Sequence, residues 1–183
     1  SDQVLLLKGN RVYTYTRQMI EWHKKMGHKV FFISGSPSFL VSRMAKKMGV
    51  DDFCGSIYEI DEKTKTFSGK ILKPMWDSIH KQEAIENFIK KYNIDREKSY
   101  MIGDKTSDIG AGLKSNLKTV LVKTGYGLKD MEKIDKNETL VCENLKDFSE
   151  ILKREKLNEL LFEEFSKKVQ IKNVVMDSRK VTE

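Results

Sequence analysis

His28-Lys29-Val30-Phe31-Phe32-Ile33-Ser34-Gly35-Ser36-Pro37 is the stretch on which the architecture turns. The apolar run 29–33 lacks polar alternation, which is the mark of a strand covered on both faces. It stops abruptly in small hydroxyl residues and glycine, the composition of a tight turn rather than a longer strand. Working outward, residues 17–25 place Met19, Ile20 and His23 at helical spacing, with Gly27 as a stop. On the other side, residues 39–48 predict a helix with Leu40, Met44 and Met48 on one face and Gly49 at its end.

Further along, 53–60 and 66–72 flank the polar stretch 61–65 and predict a β-hairpin beside the core. Residues 81–92 form an amphipathic helix through Ala84, Ile85, Phe88 and Ile89. Then come a buried strand at 99–103, a helix at 109–115, strands at 118–122 and 139–142, and a closing helix at 144–153. Alternation of strand and helix predicts a parallel, doubly wound sheet. The expected fold is therefore an α/β three-layer sandwich with a parallel, Rossmann-like sheet and an added β-hairpin. In such sheets ligands sit outside the carboxyl ends of the strands. That rule directs attention to Ser34-Gly35 and to Asp104.

The 183 residues, 39% apolar and 33% charged, suit one α/β domain with a short appendage. No run of 18 apolar residues is present, so no membrane-spanning helix is expected. The opening Ser1-Asp2-Gln3 lacks the layout of a signal peptide. Cys54 and Cys142 have no metal or redox spacing and read as reduced residues of a cytoplasmic protein. The net charge of +7 comes from lysines dispersed among Asp and Glu, the pattern of a solvated surface rather than a nucleic-acid face.

Three features carry chemistry, separated by 47 and then 23 positions: Ser34-Gly35, Lys81, and the pair Asp104 and Asp108. A hydroxyl and neighbouring backbone N–H groups at a helix start bind phosphoryl oxygens. A lysine neutralises charge on such a group. Magnesium takes oxygen ligands, keeps several waters, and needs only one or two carboxylates. Asp104 is placed as a direct ligand, and Asp108, one turn on, is open to the metal, a metal-bound water or the lysine. Taken singly, Ser34 reads equally as a capping serine, Lys81 as a solvated helix-end lysine, and the two aspartates as first-turn carboxylates.

As a set these motifs resemble those of a known family. FFISGSP at 31–37, Lys81, and YMIGDKTSD at 100–108 are similar to the second, third and fourth motifs of the haloacid dehalogenase superfamily. GHKVFFISGSPSFLVSRMAKKMGVDDFCGS, at 27–56, resembles its phosphoserine-phosphatase-like branch. IGDKTSDIGAGLKSNLKTVLVKTGYG, at 102–127, looks more like histidinol-phosphate and heptose-bisphosphate phosphatases. The resemblance implies a magnesium-dependent phosphomonoesterase acting on a phosphorylated small molecule. It implies that Ser34 and Gly35 hold the phosphoryl group, Lys81 stabilises it, Asp104 binds magnesium, and Asp108 supports that site.

The family's first motif, DxDx[TV], supplies the attacking aspartate. Only Asp2 precedes Ser34, with no second aspartate two residues later. The chain is therefore expected not to turn over by the family mechanism, with the nucleophile strand and most of the cap lying upstream in a longer protein.

After residue 153 the texture changes. LNELLFEEF (157–165) predicts a short amphipathic helix and VQIKNVVM (169–176) a strand. IKNVVMDSRKVTE (171–183) resembles the opening of the N-terminal domain of Mur ligases, which implies that Ser178 lies near a uridine nucleotide. The expected division is a phosphatase-like core over 1–152, and a linker leading into a Mur-type domain over 153–183. The reading from another class is a non-catalytic docking or regulatory domain attached to a cell-wall ligase.

Overall fold

The computed structural model describes residues 14–169. The elements are α1 (Thr14–Lys25), β1 (Phe31–Pro37), α2 (Ser38–Met48), β2 (Asp52–Ile60), β3 (Phe67–Lys73), α3 (Ser78–Tyr92), β4 (Tyr100–Gly103), α4 (Thr106–Lys114), β5 (Lys118–Val122), α5 (Gly127–Asp130), a 3₁₀ turn (Met131–Lys133), β6 (Thr139–Cys142) and α6 (Leu145–Val169). They fall into two compact units, the first ending at Lys146 and the second beginning at Asp147. The α/β class, the parallel strands and the added hairpin stand as read from the sequence.

Helix boundaries follow the caps. Asp77 accepts the Ile79 and His80 backbone N–H groups at 2.9 Å each, so α3 starts at Ser78, a turn earlier than expected. Lys81 is thus inside the helix rather than at its opening. Lys81, Ala84, Ile85 and Phe88 are buried at the i, i+3, i+4, i+7 spacing of one face. In α2 the buried face is Val41, Ala45 and Met48, so it is turned by one residue from the expected Leu40 and Met44.

β1 and β2 pair in parallel from Phe31↔Asp52 to Ser34↔Gly55. Past Ser56, β2 changes partner and pairs antiparallel with β3, with Ile57 opposite Lys73 and Tyr58 opposite Ile71. The hairpin is therefore not laid beside the core. It is the outgrowth of a strand whose first half belongs to the parallel ladder. Phe39, Tyr58 and Phe67 form an aromatic cluster over it.

β4, β5 and β6 form a second parallel ladder. β5 lies between two neighbours, and Val120 and Leu121 are fully buried. β1 and β4 each have a strand on one side only among the described residues. Ile33 of β1 and Met101 of β4 nonetheless pack in one cluster with Ile85 and Ile89 of α3 and Ala111 of α4. Two half-sheets thus share a helix without being hydrogen-bonded to each other. Phe31, Phe32 and Ile33 are half-buried in consequence, against the expectation of a strand covered throughout.

α6 runs unbroken for 25 residues, where two helices were expected. The intervening Arg154-Glu155-Lys156 contains no breaker, and all three residues sustain a helix well. Leu157, Leu160, Leu161 and Phe162 are exposed. The predicted strand at 169–176 and Ser178 lie outside the described residues, apart from Val169, which ends α6. No described helix is long and apolar enough to cross a membrane. Cys142 is buried, and burial pushes the thiol of the half-buried Cys54 up.

Ser56 joins the carboxyl end of β1 to the segment that leads into α3. Its buried hydroxyl donates to the Gly35 carbonyl at 2.9 Å and accepts the Met75 N–H at 3.0 Å. Ser56→Ala leaves both partners unsatisfied, and should destabilise the chain by about 1–3 kcal/mol in urea unfolding. An unchanged midpoint would mean that these bonds contribute nothing net.

Candidate active site

The turn from β4 into α4 is built around Asp108. Its Oδ2 accepts the Lys105 N–H at 3.1 Å and its Oδ1 accepts the Lys81 ammonium at 2.6 Å. Lys81 Nζ also donates to Ser107 Oγ at 3.1 Å. The two charged side chains are only 6% and 9% exposed, so each depends on the other to offset its desolvation. Gly103 makes this approach possible, because a Cβ at that position would overlap the Asp108 carboxylate. Of the roles open to Asp108 in the sequence, contact with the lysine is the one displayed, and both its oxygens are engaged.

Asp104 is differently placed. Its Oδ2 accepts the Tyr126 N–H at 2.9 Å, while Oδ1 has no hydrogen-bond partner among the described residues. Just beyond it, Thr106 donates its N–H at 2.9 Å and its hydroxyl at 3.3 Å to Asp130 Oδ2. The hydrogen bond from Lys133 and the Thr106 N–H together hold the Asp130 carboxyl below the usual carboxylate range. Neither Asp130 nor the Tyr126 N–H was anticipated. Asp130 sits in a short helix too brief to show periodicity, and a backbone donor has no signature in composition.

Ser34 and Gly35 lie near the carboxyl end of β1. Ser34 is half-buried, and its Oγ accepts the Ser36 N–H at 3.2 Å. A Cβ on Gly35 would stand 3.6 Å from Trp76 Cβ, so the chain at the exposed Trp76 runs beside this turn. The structure thus joins Lys81 and Asp108 directly and sets Asp104 within the same turn. Ser34 and Gly35 sit on the neighbouring half-sheet, with no direct hydrogen bond to Lys81 or Asp104.

Whether a metal fits can be judged from the donors. No group of three or more His, Cys, Asp or Glu side chains is gathered among the described residues, which argues against a zinc-type site. One carboxylate with an uncommitted oxygen, Asp104, suits magnesium, which fills its shell largely with water and substrate oxygens. The lysine pair gives a separate test of the geometry. Asp108→Ala should cost about 3–5 kcal/mol in urea unfolding, because the Lys81 charge is left buried and unpaired. Lys81→Met combined with Asp108→Leu should recover most of that loss; a double variant no better than the single one would contradict the pairing.

Comparison with known proteins identifies the family. The model for haloacid dehalogenase-like hydrolases matches residues 6–112, more than half of the chain, and a HAD-hydrolase-like model matches 80–148. A phosphoserine phosphatase of Archaeoglobus fulgidus is 28% identical over 144 residues, covering 69% of this chain and 41% of that protein. The D-glycero-beta-D-manno-heptose-1,7-bisphosphate 7-phosphatase of Pasteurella multocida is 41% identical over 66 residues, which cover 36% of this chain and 35% of that protein. The chain therefore spans about two fifths of the length of these curated relatives, or less. Among solved structures, the D,D-heptose 1,7-bisphosphate phosphatase from B. bronchiseptica complexed with magnesium and phosphate superposes with a TM-score of 0.59 at 18% identity. That match covers 78% of this chain and 84% of the solved one, and shows likeness of fold. With more than half of its length matched by the family model, the chain belongs to the haloacid dehalogenase-like hydrolases.

Proposed function

We propose that this chain is the greater part of a magnesium-dependent phosphomonoester hydrolase domain whose carboxylate nucleophile lies on a segment other than those described. The observation that carries the reading is the buried Lys81–Asp108 pair beside Asp104, whose carboxylate keeps one oxygen open. A pair so enclosed is an expensive way to stabilise a fold. It makes sense as a fixed cation next to a phosphoryl group, held so that its charge is already in place when a dianion arrives.

In this reading the Ser34 hydroxyl and the N–H groups of the turn around Gly35 hold phosphoryl oxygens, and Lys81 stabilises the charge that develops on them. Magnesium, when bound at Asp104, supplies charge neutralisation at the same oxygens. The unlinked edges of β1 and β4 also favour it, since both flank α3 and together present backbone donors and acceptors suited to one further strand. Such a strand would deliver its last residues between the Ser34 turn and the Asp104 turn. The substrate class is a phosphorylated small molecule, by likeness to the phosphatases named above, and the location is cytoplasmic.

Two finer points belong to the same proposal. The resemblance of 171–183 to a Mur ligase supports a fusion in which Ser178 approaches a uridine nucleotide, and sequencing the gene on both flanks tests it. The second reading is a non-catalytic docking or regulatory domain attached to a cell-wall ligase, and a full-length upstream strand without an Asp-x-Asp pair would favour it.

An activity assay separates them. The chain alone should not turn over p-nitrophenyl phosphate with magnesium. Fused behind a relative's segment that carries the Asp-x-Asp strand and cap, it should do so. That activity should fall at least about 100-fold in Lys81→Ala and in Asp104→Asn. A folded but inactive fusion would support the docking reading. Turnover by the chain alone, abolished by Asp104→Asn, would mean the nucleophile is misassigned.

A further inference from the structure

The turn after β5 grips the Asp104 turn from outside the two motifs that face it. Gly125 has φ +66°, and a Cβ built there would run into Asp104 Oδ2. The peptide that follows points its N–H, that of Tyr126, at this same oxygen at 2.9 Å. Only a residue without Cβ can both adopt the left-handed conformation cheaply and let the carboxylate come so close. Gly127 closes off retreat: a Cβ there would collide with the Val122 carbonyl oxygen, so the turn is seated against the end of β5. Three residues on, Asp130 takes the Thr106 N–H and hydroxyl. The segment 125–130 thus holds the β4–α4 turn on both sides of Lys105.

A lone carboxylate on a turn samples several rotamers and presents either oxygen. A donor fixed on one oxygen selects a rotamer and leaves the other oxygen to take a ligand, while the charge stays on the group. We infer that Gly125 and the Tyr126 N–H are positioning residues for Asp104: they restrain Oδ2 so that Oδ1 is presented to a divalent cation. The inference rests on the reading above, in which Asp104 is the cation ligand. The Tyr126 ring has a separate contact, with Lys105 Nζ 4.3 Å from its centroid, so ring and peptide can be tested apart.

The test uses the whole ¹⁵N-labelled chain titrated with Mn²⁺, reading paramagnetic broadening of the Gly103, Lys105 and Thr106 amides. Wild type should show saturable broadening that Asp104→Asn removes. Tyr126→Ala keeps the N–H and should match wild type. Tyr126→Pro removes the N–H at a φ of −88°, which proline reaches with a small adjustment, and should need roughly tenfold more Mn²⁺. Gly125→Ala should weaken binding similarly. Gly69→Ala, at φ +90° with nothing within 4 Å of the new Cβ, carries the same backbone strain and should bind as wild type. If Tyr126→Pro does not fold, the two glycine variants decide alone. Equal affinity in the proline and alanine variants, or equal weakening in both glycine variants, overturns the positioning role while leaving the phosphatase reading intact. Wild type that responds no differently from Asp104→Asn overturns both.

Discussion

A lysine and an aspartate, held 2.6 Å apart with almost no access to water, organise the carboxyl edge of this domain. The pair ties the second turn of α3 to the first turn of α4, and through the Lys105 N–H it shapes the loop that carries Asp104. Each charge is tolerated only because the other is there, so neither helix can shift along the other without exposing a buried ion. The requirement reaches into the backbone: Gly103 has to lack a side chain because the carboxylate occupies the space a Cβ would fill. The pair therefore sets the geometry of this turn without a ligand, which in the proposed reading is what electrostatic stabilisation of a phosphoryl group demands.

Much of this was legible in the chain, for definite reasons. The runs that became β1, β4 and β5 are apolar and end in glycine or polar residues, so their place in a layered α/β fold followed from periodicity alone. Ser34, Lys81, Asp104 and Asp108 were singled out because three weak signals stood in a meaningful order. Partner choice was not legible. That β2 leaves β1 for β3 after Ser56 depends on the register of two other strands, which no local pattern encodes. The start of α3 was misplaced because the capping role of Asp77 outweighed the apolar period that begins at Lys81. Tyr126 and Asp130 were invisible for different reasons, one acting through a main-chain N–H and the other across 24 residues.

Likeness to the two kinds of phosphatase extends over different lengths of the chain. Likeness to phosphoserine phosphatase extends over most of the chain, whereas likeness to the heptose-bisphosphate enzyme is confined to a shorter stretch. Within the structure the Ser34 turn belongs to one half-sheet, and the Asp104 turn with its Gly125–Tyr126 restraint belongs to the other. In the proposed reading, the groups named so far all address the phosphoryl end of a substrate and not its remainder, so substrate choice rests on other residues.

The sharing of α3 by two unlinked ladders also bears on how the domain comes apart. Hydrogen bonds make each ladder cooperative within itself, but among the described residues no ladder joins β1 to β4, which instead share a side-chain cluster with Ile85, Ile89 and Ala111. Packing of this kind is lost in pieces more readily than a ladder is. The centre of β4, β5 and β6 is fully buried at Val120 and Leu121, whereas β1 packs on α3 through Phe31 and Ile33. Because α3 packs on both ladders, loosening of that one helix would release the Ser34 turn and the Asp104 turn from each other.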